Sequence, residues 1–123
     1  EKNRLPVFVP KLLAPHFNND FPQPKNLVFI KMYMADKKIS FEDWPGYYES
    51  ILNDLGPGLN EMIVHLGLDN NEMKKITSNR IAFGSKWRNL DFKVVSSPEF
   101  KASLIKNDIK LVTWREIKDI LYP

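Results

Sequence analysis

Histidine and a few charged side chains are the residues of this chain whose type and position could support chemistry. His65 lies near the end of the apolar stretch LNEMIVHL, residues 59–66, just before Gly67. Imidazole gains and loses a proton near neutral pH, so a histidine at the end of a strand is a candidate general acid or base. The structural alternative, a histidine packed at a strand end and bonded to backbone, is the one that the residue types alone favour.

Two further charged residues are candidates for the same site. Glu61 falls on the same face of the predicted strand as His65, so its carboxylate would point into the protein and need a partner. Arg88 lies three residues before Asp91, and on a helix the two would form a surface ion pair. In the functional alternative, the planar guanidinium of Arg88 reaches an active-site opening and binds a polar substrate or a carboxylate.

The sequence predicts no self-sufficient metal site. His16 stands in a proline-rich segment, where we expect it at the surface, and His16 and His65 are the two histidines of the chain. There is no cysteine and no HxxxH or HxH spacing, so we expect no metal ligands within these 123 residues. The sequence also lacks a Gly-rich phosphate loop and a GxSxG nucleophile elbow.

Composition and charge favour a soluble globular domain. The 43% hydrophobic content can form a core, and no apolar run approaches the roughly 20 residues of a membrane helix. The net charge is only +3, so the basic segment from Lys74 to Lys93 is more typical of a solvated helix face than of a nucleic-acid site. We expect a single domain over residues 1–123, no membrane or nucleic-acid partner, and the cytoplasm as the favoured compartment.

Four apolar runs predict the β-strands that position these residues. They cover residues 5–9, 27–34, 59–66 and 109–113. The run at 27–34 is almost unbroken, which is typical of a parallel strand covered on both faces. The segment between residues 14 and 26 carries three prolines, so we expect an exposed loop there.

Helix signals alternate with these strands. The predicted helices begin at Pro45, at Asp69 or Asn70, at Phe83 (ending at Phe92), at the Ser97 N-cap and at the Thr113–Glu116 capping box. Trp87 and Trp114 are expected in the core, although an exposed indole would suit a sugar. Parallel strands need crossover connections, so the alternation predicts an α/β fold with mostly parallel strands. Four strands would supply part of a (β/α) barrel, which takes about 250 residues, or form a small open sheet.

Two segments carry a resemblance to a known family. They are PGLNEMIVHLGLDNNEM, residues 57–73, and WRNLDFKVVSSPEFKASLIKNDIKLVTWREI, residues 87–117. In order, they combine a strand ending in histidine, an acidic turn, an Arg-x-x-acid helix, a Ser-Pro-Glu helix and a closing Trp-Arg-Glu-Ile. This succession resembles the YdjC-like carbohydrate deacetylases, which include the chitooligosaccharide and hopanoid-associated deacetylases. The resemblance spans most of the chain, with His65-Leu66-Gly67 where the family usually has His-Pro-Gly.

The resemblance implies the C-terminal part of a distorted (β/α) barrel that removes the acetyl group from an N-acetylated sugar or oligosaccharide. It also implies a divalent metal, zinc or magnesium, whose ligands we expect upstream of Glu1. His65 would stabilise the tetrahedral intermediate or protonate the leaving amine, and Arg88 and Glu61 would bind substrate. We expect such a part to be inactive by itself and to self-associate or pair with the missing half. The alternatives are a non-catalytic module that binds carbohydrate, protein or nucleic acid, and a purely structural α/β domain.

Overall fold

The computed structural model describes residues 6–16 and 27–123, in which strands alternate with helices. The strands are β1 (Val7–Pro10), β2 (Leu27–Met34) and β3 (Asn60–Ile63). They form a parallel open sheet in the order β1-β2-β3. β1 and β2 run parallel, with Val7 opposite Leu27 and Pro10 opposite Ile30. The predicted α/β class is therefore confirmed, with a small open sheet.

The helices begin close to the capping signals in the sequence. A 3₁₀ helix covers Lys11–His16, and the α-helices are α1 (Trp44–Asp54), α2 (Asn71–Ile76), α3 (Ser85–Val95), α4 (Pro98–Lys106) and α5 (Trp114–Leu121). The side chain of Asn70 caps α2, and that of Ser97 caps α4. The capping box of Thr113 and Glu116 is complete at the start of α5. These start signals are confirmed because each is a local interaction between neighbouring residues.

The chain divides into two compact units. The first combines the described residues up to Met32 with Gly58–Glu61 and Lys110–Pro123, and the second combines Tyr33–Pro57 with Met62–Ile109. Within the first unit, the ring of Phe8 stacks on that of Trp114. Within the second, α1, α3 and α4 pack against one another around a core of aromatic and aliphatic side chains. Its buried members are Ala35, Trp44, Tyr48, Ile51, Trp87 and Val94.

Two strand predictions are wrong. The fourth predicted strand does not form, since the described residues 109–112 have no regular structure and Thr113 is the N-cap of α5. Leu111 and Val112 are exposed, so their side chains lack the cover that a sheet strand would receive. The prediction that β2 is covered on both faces also fails, because Met32 and Met34 are exposed. An apolar run does not by itself reveal how many layers will cover it.

We predict that Ser97→Ala destabilises the protein by about 1 kcal/mol, the usual effect of losing an N-cap. The Ser97 hydroxyl accepts a hydrogen bond from the backbone N–H of Phe100 and donates one to the carbonyl oxygen of Val94. Urea unfolding followed by circular dichroism measures the change. The neighbouring Ser96 is exposed, and its side chain forms no hydrogen bond within the described residues. Ser96→Ala is therefore the matched control, and equal effects of the two variants would contradict the prediction.

Candidate functional site

Helix α3 carries Arg88 and Asp91, two polar residues of the candidate site, and begins with an unusual turn. Phe83 has a φ of 58°, in the left-handed region that bulky residues rarely adopt. The next residue, Gly84, passes so close to Arg80 that a Cβ on Gly84 would lie 1.6 Å from the Arg80 carbonyl oxygen. This turn delays the start of α3 to Ser85, two residues after the predicted start, and the helix continues to Val95.

The Asp91 carboxylate on α3 is fully buried and accepts three hydrogen bonds. Its Oδ1 atom accepts one from the Trp44 indole Nε1 at 2.8 Å and one from the Tyr48 hydroxyl at 2.7 Å. Its Oδ2 atom accepts one from the backbone N–H of His65 at 2.8 Å. A carboxylate out of water is stable only with such donors. Asp91 therefore fastens both α1 and the segment after β3 to α3.

Burial raises the pKa of Tyr48 far above its ordinary value, and the hydrogen bond to Asp91 and the negative charge of that carboxylate raise it further. The tyrosine hydroxyl therefore stays protonated throughout the neutral range. It can serve as a permanent donor to the Asp91 carboxylate.

His65 lies two residues beyond β3, since that strand ends at Ile63 and not at residue 66 as predicted. The imidazole packs against the ring of Phe83, with 4.7 Å between the ring centroids, and its side chain keeps 27% exposure. Its Nδ1 atom is buried, lies 4.0 Å from Oδ2 of Asp91 and has no hydrogen-bond partner among the described residues. The backbone and one edge of His65 are thus held, while another part of the ring reaches solvent.

The segment that follows His65 is also tied to α3. The Ser85 hydroxyl donates a hydrogen bond of 2.8 Å to Oδ1 of Asp69, and this bond holds the pKa of Asp69 below its usual range. Gly67 packs closely against Arg88, since a Cβ on Gly67 would lie 3.2 Å from the Cβ of Arg88. Residues 65, 67 and 69 of this segment therefore all contact helix α3.

Arg88 and His65 both contact Phe83, whereas Glu61 belongs to the other unit. The Arg88 Nε donates a hydrogen bond of 2.9 Å to the carbonyl oxygen of Phe83, the residue whose ring contacts His65. Within the described residues Arg88 forms no ion pair with Asp91, so the predicted surface pair is wrong: Asp91 points into the core. Glu61 is half-buried in β3, in the first unit, and His65 and Arg88 lie in the second.

Sequence reasoning missed the central role of Asp91. Asp91 lies four residues after Trp87 and three before Val94, and all three are buried on one face of α3. A carboxylate within an apolar stripe at this spacing is the signal that could have revealed it. The sequence contains no such signal for Trp44 and Tyr48 as donors, because their role depends on the packing of α1 against α3.

The two tryptophans expected in the core have different positions. Trp87 is buried at 1% exposure, and its ring lies edge-on to that of Trp44, so the prediction is confirmed for this residue. Trp114 is 55% exposed, so the prediction is wrong there. It is the first residue of α5, where the chain emerges from an irregular exposed segment.

The basic residues between positions 74 and 93 include several that contact neighbouring protein groups. The Lys74 ammonium lies 3.6 Å from the Asp69 carboxylate, and that of Lys86 lies 4.6 Å from the centroid of the Phe41 ring.

Among residues 6–16 and 27–123, no group of three or more histidine, cysteine, aspartate or glutamate side chains could hold a metal ion. The described residues therefore do not fit the divalent metal that the family resemblance implies. None of the helices that they build has the length and apolar character needed to cross a lipid bilayer. No protein-family profile matches the sequence, and no curated protein matches it.

We predict that Tyr48→Phe destabilises the protein more than Tyr47→Phe. The first variant removes a donor to a buried carboxylate and should lower the free energy of unfolding by about 2 kcal/mol. The Tyr47 hydroxyl donates to the uncharged carbonyl of Met34 at an exposed position, so its loss should lower stability by about 1 kcal/mol or less. Urea unfolding at neutral pH measures both values.

The pH dependence of the Tyr48→Phe effect provides a second readout. Because folding raises the pKa of Tyr48, the unfolded chain releases this proton first as the pH rises above 10.0, the ordinary tyrosine value. The stabilisation is therefore complete below that pH and is lost above it. The wild-type protein should lose stability more steeply than Tyr48→Phe on the alkaline side. Parallel curves for the two proteins would contradict the environment assigned to Tyr48.

Proposed function

We propose that this chain is the C-terminal part of a YdjC-like carbohydrate deacetylase, with His65 as a proton-transfer residue. The observation that carries the proposal is the position of His65, two residues after a strand of a parallel sheet, with a partly exposed ring and a backbone anchored by Asp91. In (β/α) barrels, residues that follow the strands line the active site. The resemblance of residues 57–73 and 87–117 supplies the family and the reaction.

The proposed reaction is hydrolysis of the N-acetyl group of an amino sugar. Water bonds through its oxygen to the carbonyl carbon and gives up one proton to a base that polypeptide outside the described residues would supply. The C–N bond then breaks, the sugar nitrogen takes up a proton, and acetic acid leaves and ionises to acetate. Protonated His65 donates the proton that the nitrogen takes up, as a general acid. Contacts with Phe83 and Asp91 hold the imidazole from two sides, and its 27% exposure leaves part of the ring for the substrate.

Arg88 and Glu61 are the proposed substrate-binding residues. Arg88 uses its Nε atom on the Phe83 carbonyl, and its terminal nitrogens have no hydrogen-bond partner among the described residues. Two such donors suit the hydroxyl or carbonyl oxygens of a sugar. Glu61 is half-buried in β3, and we assign it a role only in the completed barrel.

The divalent metal of the family, zinc or magnesium, would be held by polypeptide other than the described residues. We therefore propose that this chain functions together with the half that completes the barrel, or self-associates in its absence. Large apolar side chains exposed in the first unit, Leu12, Leu111 and Ile120, support such an association.

We predict that His65→Ala slows deacetylation of N-acetylglucosamine oligomers about a hundredfold, because it removes the general acid. The assay measures acetate release by the complete gene product that contains this chain. The metal content should remain unchanged. His16→Ala is the matched control, since His16 is exposed at the end of the 3₁₀ helix and should leave turnover intact.

The possible outcomes distinguish an error in the role of His65 from an error in the proposed function. Unchanged turnover in His65→Ala would reduce His65 to a structural role. A complete wild-type protein that releases no acetate from any N-acetylated sugar would refute the deacetylase proposal itself.

A carbohydrate-binding module without catalysis is the second candidate, and Trp114 favours it. The indole is 55% exposed, and Phe8 stacks on it with 4.2 Å between centroids and an angle of 30° between the planes. Phe8 thus supports one side of a largely open aromatic surface. Such a surface suits the apolar face of a pyranose ring.

We predict that, if this second function is correct, Trp114→Ala weakens binding of N-acetylglucosamine oligomers about tenfold, the upper range for an aromatic contact. Isothermal titration calorimetry on the protein measures the affinity. Trp114→Phe retains an aromatic ring and should retain most of the binding. Equal affinities for wild type and Trp114→Ala would eliminate the role of this surface.

A further inference from the structure

We infer that Asp91 is a positioning residue that keeps the neutral imidazole of His65 in the tautomer with its proton on Nδ1, so that Nε2 is the atom that exchanges protons with substrate. The catalytic consequence rests on the proposed function. The tautomer itself is a property of the folded chain and can be measured without any activity.

The orientation of the ring is the first observation. Nδ1 of His65 is buried and Oδ2 of Asp91 lies 4.0 Å away, whereas the side chain as a whole keeps 27% exposure. The solvent contact therefore comes from other atoms of the side chain, and Nε2 is the one among them able to transfer a proton. Nδ1 is buried, and we assign Nε2, the other ring nitrogen, to the substrate.

The electrostatics of this arrangement select the tautomer. An unprotonated Nδ1 would present its lone pair to the negative carboxylate of Asp91, and the two would repel each other. A protonated Nδ1 presents an N–H instead, and the two attract. Nδ1 has no hydrogen-bond partner among the described residues, so no other contact there favours the opposite tautomer.

Asp91 is suited to this role because its own position is fixed. Trp44 and Tyr48 occupy Oδ1, and the backbone N–H of His65 occupies one lone pair of Oδ2. The second lone pair of Oδ2 is left for the imidazole. The carboxylate accepts a hydrogen bond from the backbone of the same histidine. The distance between the carboxylate and the imidazole ring therefore depends only on the conformation of His65.

The separation of 4.0 Å is too long for a hydrogen bond in the resting protein. The attraction at this distance is enough to bias the tautomer, and catalytic hydrogen bonds commonly shorten when substrate binds. A small rotation of the imidazole would close the gap without moving the anchored backbone of His65.

Nitrogen-15 NMR of the imidazole groups tests the inference on the wild-type protein. At about pH 9, where ordinary histidines are neutral, the Nδ1 signal of His65 should appear at the shift of a protonated nitrogen and that of Nε2 at the shift of an unprotonated one. His16 is exposed and serves as the internal reference, with the Nε2–H form that predominates in free histidine. A His65 pattern identical to that of His16 would overturn the inference.

Asp91→Asn extends the test to catalysis. The variant keeps the shape of the side chain but loses the charge, so the His65 tautomer should shift towards Nε2–H. In the complete gene product, kcat should fall about tenfold or more while KM changes little. A folded Asp91→Asn protein with the wild-type tautomer and kcat would overturn the positioning role.

Tyr48→Phe is the companion variant, because it removes one donor to Asp91 and leaves the carboxylate charged. It should be less stable but keep the Nδ1–H tautomer of His65, whereas a purely structural role of Asp91 would leave the tautomer unbiased in every variant. An Nδ1–H tautomer in a protein whose complete form shows no deacetylation would support the role of Asp91 and refute only the proposed function.

Discussion

A carboxylate that leaves water must find donors within the protein, and the arrangement around Asp91 follows from that requirement. Its donors come from helix α1 and from the backbone that follows β3, and the carboxylate itself is part of α3. Displacement of any one of these elements leaves a buried polar group unpaired, at a cost of about 1–3 kcal/mol. The packing of the second unit and the position of the candidate catalytic histidine therefore depend on the same group.

The parts of the fold that sequence reasoning predicts well are those determined by neighbouring residues. The caps at Asn70, Ser97 and Thr113 act over three residues, and the structure contains each of them. Residues 109–113 have the composition of a strand, but a strand also requires a partner from a distant part of the chain. The same limitation applies to Trp114, since its exposure depends on which elements pack around it and not on its own neighbours.

The candidate site depends both on local sequence motifs and on contacts between distant parts of the chain. His65 and Arg88 are 23 positions apart, and both contact Phe83: the imidazole packs against its ring, and the Arg88 Nε donates a hydrogen bond to its carbonyl oxygen. Backbone strain of the kind found at Phe83 is frequent at functional sites. The spacing of Arg88 and Asp91 predicted a surface pair, because residues three apart are neighbours on a helix. The spacing does not show which face of the helix is buried. The proposed chemistry thus combines motifs from the sequence with a geometry that only the folded chain supplies.

The close contact at Gly84 has a consequence for mutations at this position. The obstacle to a side chain at this position is the main-chain oxygen of Arg80, so no change of rotamer relieves it. Any other amino acid must push the first turn of α3 aside, and Asp91 lies seven residues, about 10 Å, further along the same rigid helix. A missense change in this one codon would then disturb the position of Asp91 even though every ionisable group of the candidate site is still encoded.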